Sequence, residues 1–293
     1  MLSLSAFAAE PPRGKPFWLK LKETKFTALQ GATRADVLKD AIALLDNEDP
    51  ELRDDIGYGL ALQWVYRDQV LTPEEQTAFA TALLTRLEDK DKRKTVLGRS
   101  FAALSLSMIA AAEVKTPKLD TKLWSRLVFS ACEELESETD LRGHDPKLGW
   151  IHATAHTSDL LKFLARDSRL TPVMQQRIVT AISKRLEKGD TFAWGEDERL
   201  AAVLRSLAVR KDVEKNIFEP WVIGLGVRWN KLWDPTQSKT LVQPANVVAP
   251  RGFDRAEFAR LNSTKQVIRA VLVALPEGDP NKKRLEEVLV SLM

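Results

Sequence analysis

Three dipeptides set the frame for this chain: Thr72-Pro73, Thr116-Pro117 and Thr171-Pro172. A threonine before a helix accepts a hydrogen bond from a first-turn amide. A proline at the first helical position loses no bond, because that N–H has no partner inside the helix. Glu75 and Gln175 read as the far ends of capping boxes for the first and third starts. Each pair is followed 26–28 residues later by an arginine at or near the head of a second helix: Arg99, Arg142 and Arg199. Arg53 fits the same phase one unit earlier, after Asn47-Glu48-Asp49-Pro50. Units therefore recur every 43 to 57 residues, near the length of a helical-hairpin repeat.

The apolar pattern agrees. Val37, Leu38, Ile42 and Leu45 recur at helical spacing, as do Phe79, Leu83, Leu84 and Leu87. Alternation with period two is scarce. One helical hairpin cannot bury its stripe alone, whereas stacked hairpins share a continuous core. The expected fold is all-α: a right-handed α-superhelix of five or six HEAT-like hairpins, a single α-solenoid domain over 17–293. First helices form the outer layer. Second helices, near 52–67, 98–113, 149–165 and 197–210, line a concave inner layer. Trp221, Trp229 and Trp233 lie in one segment, FEPWVIGLGVRWNKLWD, and read as core packing that caps the array. Residues 234–252 read as a long insert across the concave face, and 254–293 as a final hairpin.

Apolar residues make up 44% and charged residues 29%, as in a well-packed soluble protein. A net charge of +3 gives no basic surface for nucleic acid. No run of about 18 apolar residues exists, so no helix is expected to span a membrane. The single cysteine, Cys132, excludes an intramolecular disulfide and reads as a buried thiol. Residues 1–10, MLSLSAFAAE, precede Pro11 and Pro12 and look like a signal-peptide remnant. That reading expects a periplasmic protein. A cytoplasmic chain with an unstructured tail is the alternative.

All three histidines, His144, His152 and His156, fall within TDLRGHDPKLGWIHATAHTSDL (139–160). On a helix, His152, His156 and Asp159 would share one face. Three readings stay open. The imidazoles grip a divalent metal such as zinc, with Asp140 or Glu196 completing the shell; they line a metal-free polar pocket; or they stitch neighbouring helices together. Ala153 stands where a zinc peptidase has its glutamate, which removes that mechanism's base. Beside them, Asp140, Arg142, Gly143 and His144 form a turn in which the glycine supplies a positive φ. Arg142 there pairs with Asp140 or with an acidic ligand. Asp55 follows Arg53 and Asp54. Glu196 and Arg199 follow Trp194. Arg99 precedes Ser100, which lacks the glycines of a nucleophile elbow. No phosphate loop or dinucleotide fingerprint is present. Asp55, Arg99, Asp140, Arg142, His144, Trp150, Glu196 and Arg199 are thus candidate ligand-binding residues, in phase along one rim.

The strings RDDIGYG (53–59), GRSFAAL (98–104), ETDLRGHDPKLGWIHATAHTSDLL (138–161) and WGEDERL (194–200) resemble the signature blocks of the bacterial family called domain of unknown function 2785. The resemblance implies a shared helical-repeat fold and brings no activity, substrate or cofactor. Two functional classes remain. One is a binding or scaffold protein holding a peptide, a protein or a small polar ligand in a polar concave groove. The other is a hydrolase, metal-dependent or acid–base, with His152 and His156 as metal ligands or acid/base groups and Asp159 orienting one of them.

Overall fold

The structure is a computed structural model that describes residues 12–91, 95–188, 192–214, 217–218, 220–221, 224, 227–228, 231 and 254–291. Residues 1–10, Trp229, Trp233 and the 234–252 insert lie outside the described residues. Among the described residues the chain is helical apart from two short strands. It divides into two compact units, Met1–Leu170 and Thr171–Met293.

In the first unit, α1 is Gly14–Glu23, α2 Arg34–Leu44, α4 Pro73–Leu87, α5 Val96–Glu113, α6 Thr121–Ser137 and α7 Ala153–Leu164. Between α2 and α4 runs α3, a rod built from Glu51–Tyr58, Gly59–Ala61 and Leu62–Arg67. The outer two of these segments are π-helical, where an ordinary α-helix was expected. The Gly59 amide reaches back to Asp54 O and the Asp68 amide to Gln63 O, five residues each. Such wide turns are rare and concentrate at functional sites.

The helices pack in two series. α2 touches α4, and α4 touches α6; α3 touches α5, and α5 touches α7. Within each pair α4 packs on α5 and α6 on α7. The core helix is α5, whose Leu97, Ala102, Ala103, Leu106 and Ile109 are buried. It is long and apolar enough to cross a membrane, but 89% of it is buried inside the protein, so it serves as the core of this unit. Its start passes over the Arg86–Asp46 ion pair, and a Cβ at Gly98 would collide with both side chains. Cys132 is buried on α6 with a free thiol.

The helix caps follow the sequence in part. Thr72 and Glu75 form the expected capping box, and Thr33 and Asp36 form another. Thr171 caps α8 by accepting from the Met174 amide, but Gln175 sits one residue too far to close a box and reaches Asp212 Oδ2 at 3.4 Å instead. Thr116 caps nothing: α6 starts at Thr121, with Asp120 accepting from the Leu123 amide. The carboxylate of Glu113, fully buried, takes the Lys118 amide at 2.8 Å and the Leu119 amide at 3.2 Å. Those bonds hold the chain in a turn past the Thr-Pro signal. Gln76 and Arg169 complete the shell around Glu113.

The second unit contains α8 (Pro172–Leu186), α9 (Glu196–Ala208), α10 (Arg255–Ala274) and α11 (Pro280–Ser291). α10 packs on α9, α8 and α11. Ile178, Ile182, Leu200, Leu204, Leu261 and Ile268 are buried there.

Candidate functional site

Between α6 and α7 the chain makes a small hairpin. Strand β1 is His144–Asp145 and β2 is Gly149–Trp150, with His144 opposite Trp150 and Asp145 opposite Gly149. Asp145 Oδ1 accepts the Lys147 and Leu148 amides and shapes the turn. The positive φ falls at Gly149, at 71°, not at Gly143 as expected. The Gly143 carbonyl instead accepts the Ile151 and His152 amides at 2.9 and 3.3 Å, which extends the pairing to the foot of α7.

That pairing removes His152 from the helix. It is the N-cap of α7 with a left-handed backbone (φ 46°, ψ 33°), so His152 reaches the His156 ring from outside the helix rather than from a shared helical face. Asp159 pairs with Lys162 Nζ at 2.6 Å.

Two buried side chains pin the hairpin. Arg53, on the π-helical start of α3, donates Nη2 to Leu148 O at 2.6 Å and Nη1 to Asn47 O at 3.0 Å. Its Nε lies 2.7 Å from Asp54 Oδ1, and its guanidinium covers the Phe101 ring. Ser100, on α5, donates its hydroxyl to Ile151 O and lies 2.8 Å from His156 Nδ1. A hydroxyl has one proton, and a carbonyl can only accept. His156 Nδ1 therefore carries a proton and donates to Ser100 Oγ. Ser100 is thus a clamp between α5, α7 and the hairpin.

The rings form a continuous ladder. Phe101 meets His156 at 4.9 Å between centroids, and His156 meets His152 at 5.8 Å. His152 stacks, tilted, on Trp150 at 4.4 Å, and Trp150 meets His144 at 5.0 Å. The ladder runs from the wholly buried Arg53 to a 44% exposed Trp150 and an exposed His144. Among the described residues no three His, Cys, Asp or Glu side chains converge as metal ligands.

Residues 83–246, more than half of the chain, match the family model described as a protein of unknown function, DUF2785. The chain belongs to the DUF2785 family. No curated protein and no solved structure matches it.

The charged candidates of this DUF2785 chain are largely occupied by one another. Arg142 forks onto Asp140, Nε to Oδ1 at 2.9 Å and Nη2 to Oδ2 at 2.6 Å, and reaches Asp145 at 3.0 Å. Burial pushes the Asp140 carboxyl up, but the bonds from Arg142 outweigh it and hold the carboxyl below its ordinary value. Arg99 pairs with Glu134 at 3.0 Å and with Glu138. Glu138 in turn accepts the Asp140 amide at 2.7 Å. Arg99, Asp140 and Arg142 thus form one connected chain of charge. Burial drives the Glu134 carboxyl above its usual range against the pull of Lys90 and Arg99. Asp55 is exposed and held by Lys22 at 2.7 Å. Glu196 and Arg199 belong to the second unit: Glu196 is buried and accepts the Trp194 amide at 2.9 Å, while Arg199 is exposed on α9.

The sequence does not single out Phe101, Leu148 or Gly149 as site residues, and it marks Arg53 by its repeat phase and its place in the Arg53-Asp54-Asp55 cluster, not by its carbonyl partners. The family resemblance did carry a signal: Arg53 lies in one signature block, Ser100 and Phe101 in the next, and the whole hairpin in the third.

Proposed function

We propose that this protein binds a peptide or protein partner through the hairpin face that carries Trp150 and His144. The observation that carries the reading is a braced, exposed indole: Trp150 is 44% exposed, whereas Arg53 and Ser100, which anchor the hairpin, are buried. A rigid aromatic side chain gives large contact area for little lost entropy, and tryptophan is enriched among residues that dominate binding energy. The charged groups nearby are engaged by partners within the protein, so they shape the face more than they offer a reactive centre. The acid–base hydrolase reading has less support, since Ser100 engages His156 and Lys162 engages Asp159.

The two series of helix contacts in the first unit favour the finer architecture as well: a right-handed superhelix of HEAT-like hairpins, with the Trp150 hairpin on its second-helix side. Export to the periplasm is part of the same proposal; amino-terminal sequencing of the protein from its native cell should then find a mature chain beginning near Ala9 or Glu10.

Selection from a displayed peptide library tests the binding role. Peptides enriched on the wild type should lose about 30-fold or more in affinity for Trp150→Ala, as expected of a residue worth about 2 kcal/mol at an interface. Peptides that bind both proteins equally would move the interaction surface elsewhere.

A further inference from the structure

The second unit holds a cavity of about 120 Å³ whose lining includes Leu186, Glu187, Pro220, Trp221, Arg228 and Thr264. It is well below the ~300–1,000 Å³ of pockets that take drug-sized ligands, so it suits a small molecule. Trp221 and Arg228 come from the tryptophan-rich segment that reads in the sequence as core packing. Here one of its tryptophans forms a cavity wall.

The polar groups are arranged in a definite way. Glu257 grips Arg228 from one side, accepting Nε at 2.7 Å and Nη2 at 3.0 Å. Arg260 braces Glu257 at 3.0 Å, and the Glu257 amide is tied to Asp254. The guanidinium is therefore fixed, and its Nη1 makes a long, solvent-reached ion pair with Glu187 Oε1 at 3.6 Å. That separation is too long for a direct hydrogen bond. Both groups reach solvent, Arg228 at 31% and Glu187 at 51% side-chain exposure. The buried Thr264 hydroxyl donates to Arg260 O at 2.9 Å, which leaves its oxygen as an acceptor. Leu186, Pro220 and Trp221 supply the apolar wall.

We infer that this cavity binds a small zwitterion, an α-amino acid with a short side chain. Its carboxylate meets Arg228 Nη1, its ammonium group meets Glu187, and its side chain lies against Trp221 and Leu186. A lone anion would be drawn to Arg228 but repelled by Glu187, and a lone cation the reverse. A ligand carrying both charges on one carbon satisfies both. The inference is independent of the Trp150 hairpin, and either can fail alone.

Thermal-shift and calorimetric titration of the full chain test it. Glycine, L-alanine or L-serine at ~10 mM should raise the melting temperature, as a ligand with a Kd of ~1 mM does by mass action. Acetate and methylamine at the same concentration should not. Glu187→Gln, at an exposed position, should keep the ligand-free melting temperature and weaken binding at least tenfold. Amino acids that act no better than acetate or methylamine would overturn the assignment, as would unchanged affinity in Glu187→Gln. Should that variant not fold, the contrast between zwitterion and single ion in the wild type decides.

Discussion

Arg53 Nη2 donates to the carbonyl oxygen of Leu148 across 95 residues of sequence, at 2.6 Å. The guanidinium that makes this bond is wholly buried. It joins the π-helical start of α3 to the tip of a hairpin that starts at His144, far along the chain. The hairpin is therefore part of the packed core on one side and a presented surface on the other.

Arg53→Met should be costly. The variant removes the donor from the Asn47 and Leu148 carbonyls and the partner from Asp54, whose carboxyl burial already pushes up. Breaking a buried ion pair and its hydrogen bonds costs about 2–4 kcal/mol. Urea unfolding of the two proteins measures the difference. A loss smaller than about 0.5 kcal/mol, the size of an ordinary surface change, would show that the guanidinium is not holding the hairpin.

Ser100→Ala should cost about 1–3 kcal/mol, because it leaves the Ile151 carbonyl and the His156 Nδ1–H without their shared partner. The same geometry fixes a tautomer. In the wild type at a pH where the ring is neutral, nitrogen NMR should place the proton of His156 on Nδ1. A proton on Nε2 would contradict the hydrogen-bond direction assigned to Ser100.

The acid limb of the stability curve should divide between two neighbouring glutamates. Burial pushes the Glu138 carboxyl up, but the Asp140 amide and Arg99 pull harder, so it sits below its ordinary 4.5. It therefore contributes stability that is present above that value and lost as pH falls through the lowered one. Glu134 is the reverse: burial holds it above 4.5, so its contribution falls as pH rises from 4.5 through the raised value. Glu138→Gln should make stability less sensitive to acid below about pH 4.5. Glu134→Gln should steepen the net rise of stability with pH above 4.5. Chemical denaturation at several pH values reads both slopes, and identical slopes in the two variants would contradict the assignment.

Cys132 is wholly buried on α6. A thiol reagent should modify it only at the rate of unfolding, and should match the denaturation midpoint when added in increasing urea. Rapid labelling of the native protein would place α6 differently.

Much of the framework was legible in the residues. The spacing of Phe79, Leu83, Leu84 and Leu87 marks a buried helical stripe, and all four are buried. Thr72 and Glu75 declare their helix start, and Arg142 meets Asp140 as one of the two pairings foreseen for it. The site was less legible, for physical reasons. Two-residue strands carry no periodicity, so the hairpin of His144 and Trp150 reads as helix entry. The i, i+4 spacing of His152 and His156 says nothing about whether His152 has already left the helix; the Gly143 carbonyl decides that by holding its amide. The partners of Arg53 and Ser100 are backbone oxygens, and a carbonyl leaves no mark on the identity of its residue. Thr116 misleads because the buried Glu113 carboxylate competes for the amides beyond it.

Amide hydrogen exchange at the hairpin tests the central claim most directly. The Ile151 amide, bonded to Gly143 O in the pinned hairpin, should exchange only through rare opening in the wild type. It should exchange at least tenfold faster in Ser100→Ala and Arg53→Met, while amides in the middle of α5 slow exchange in all three proteins. An Ile151 amide that exchanges in the wild type as fast as in an unstructured peptide would contradict the account.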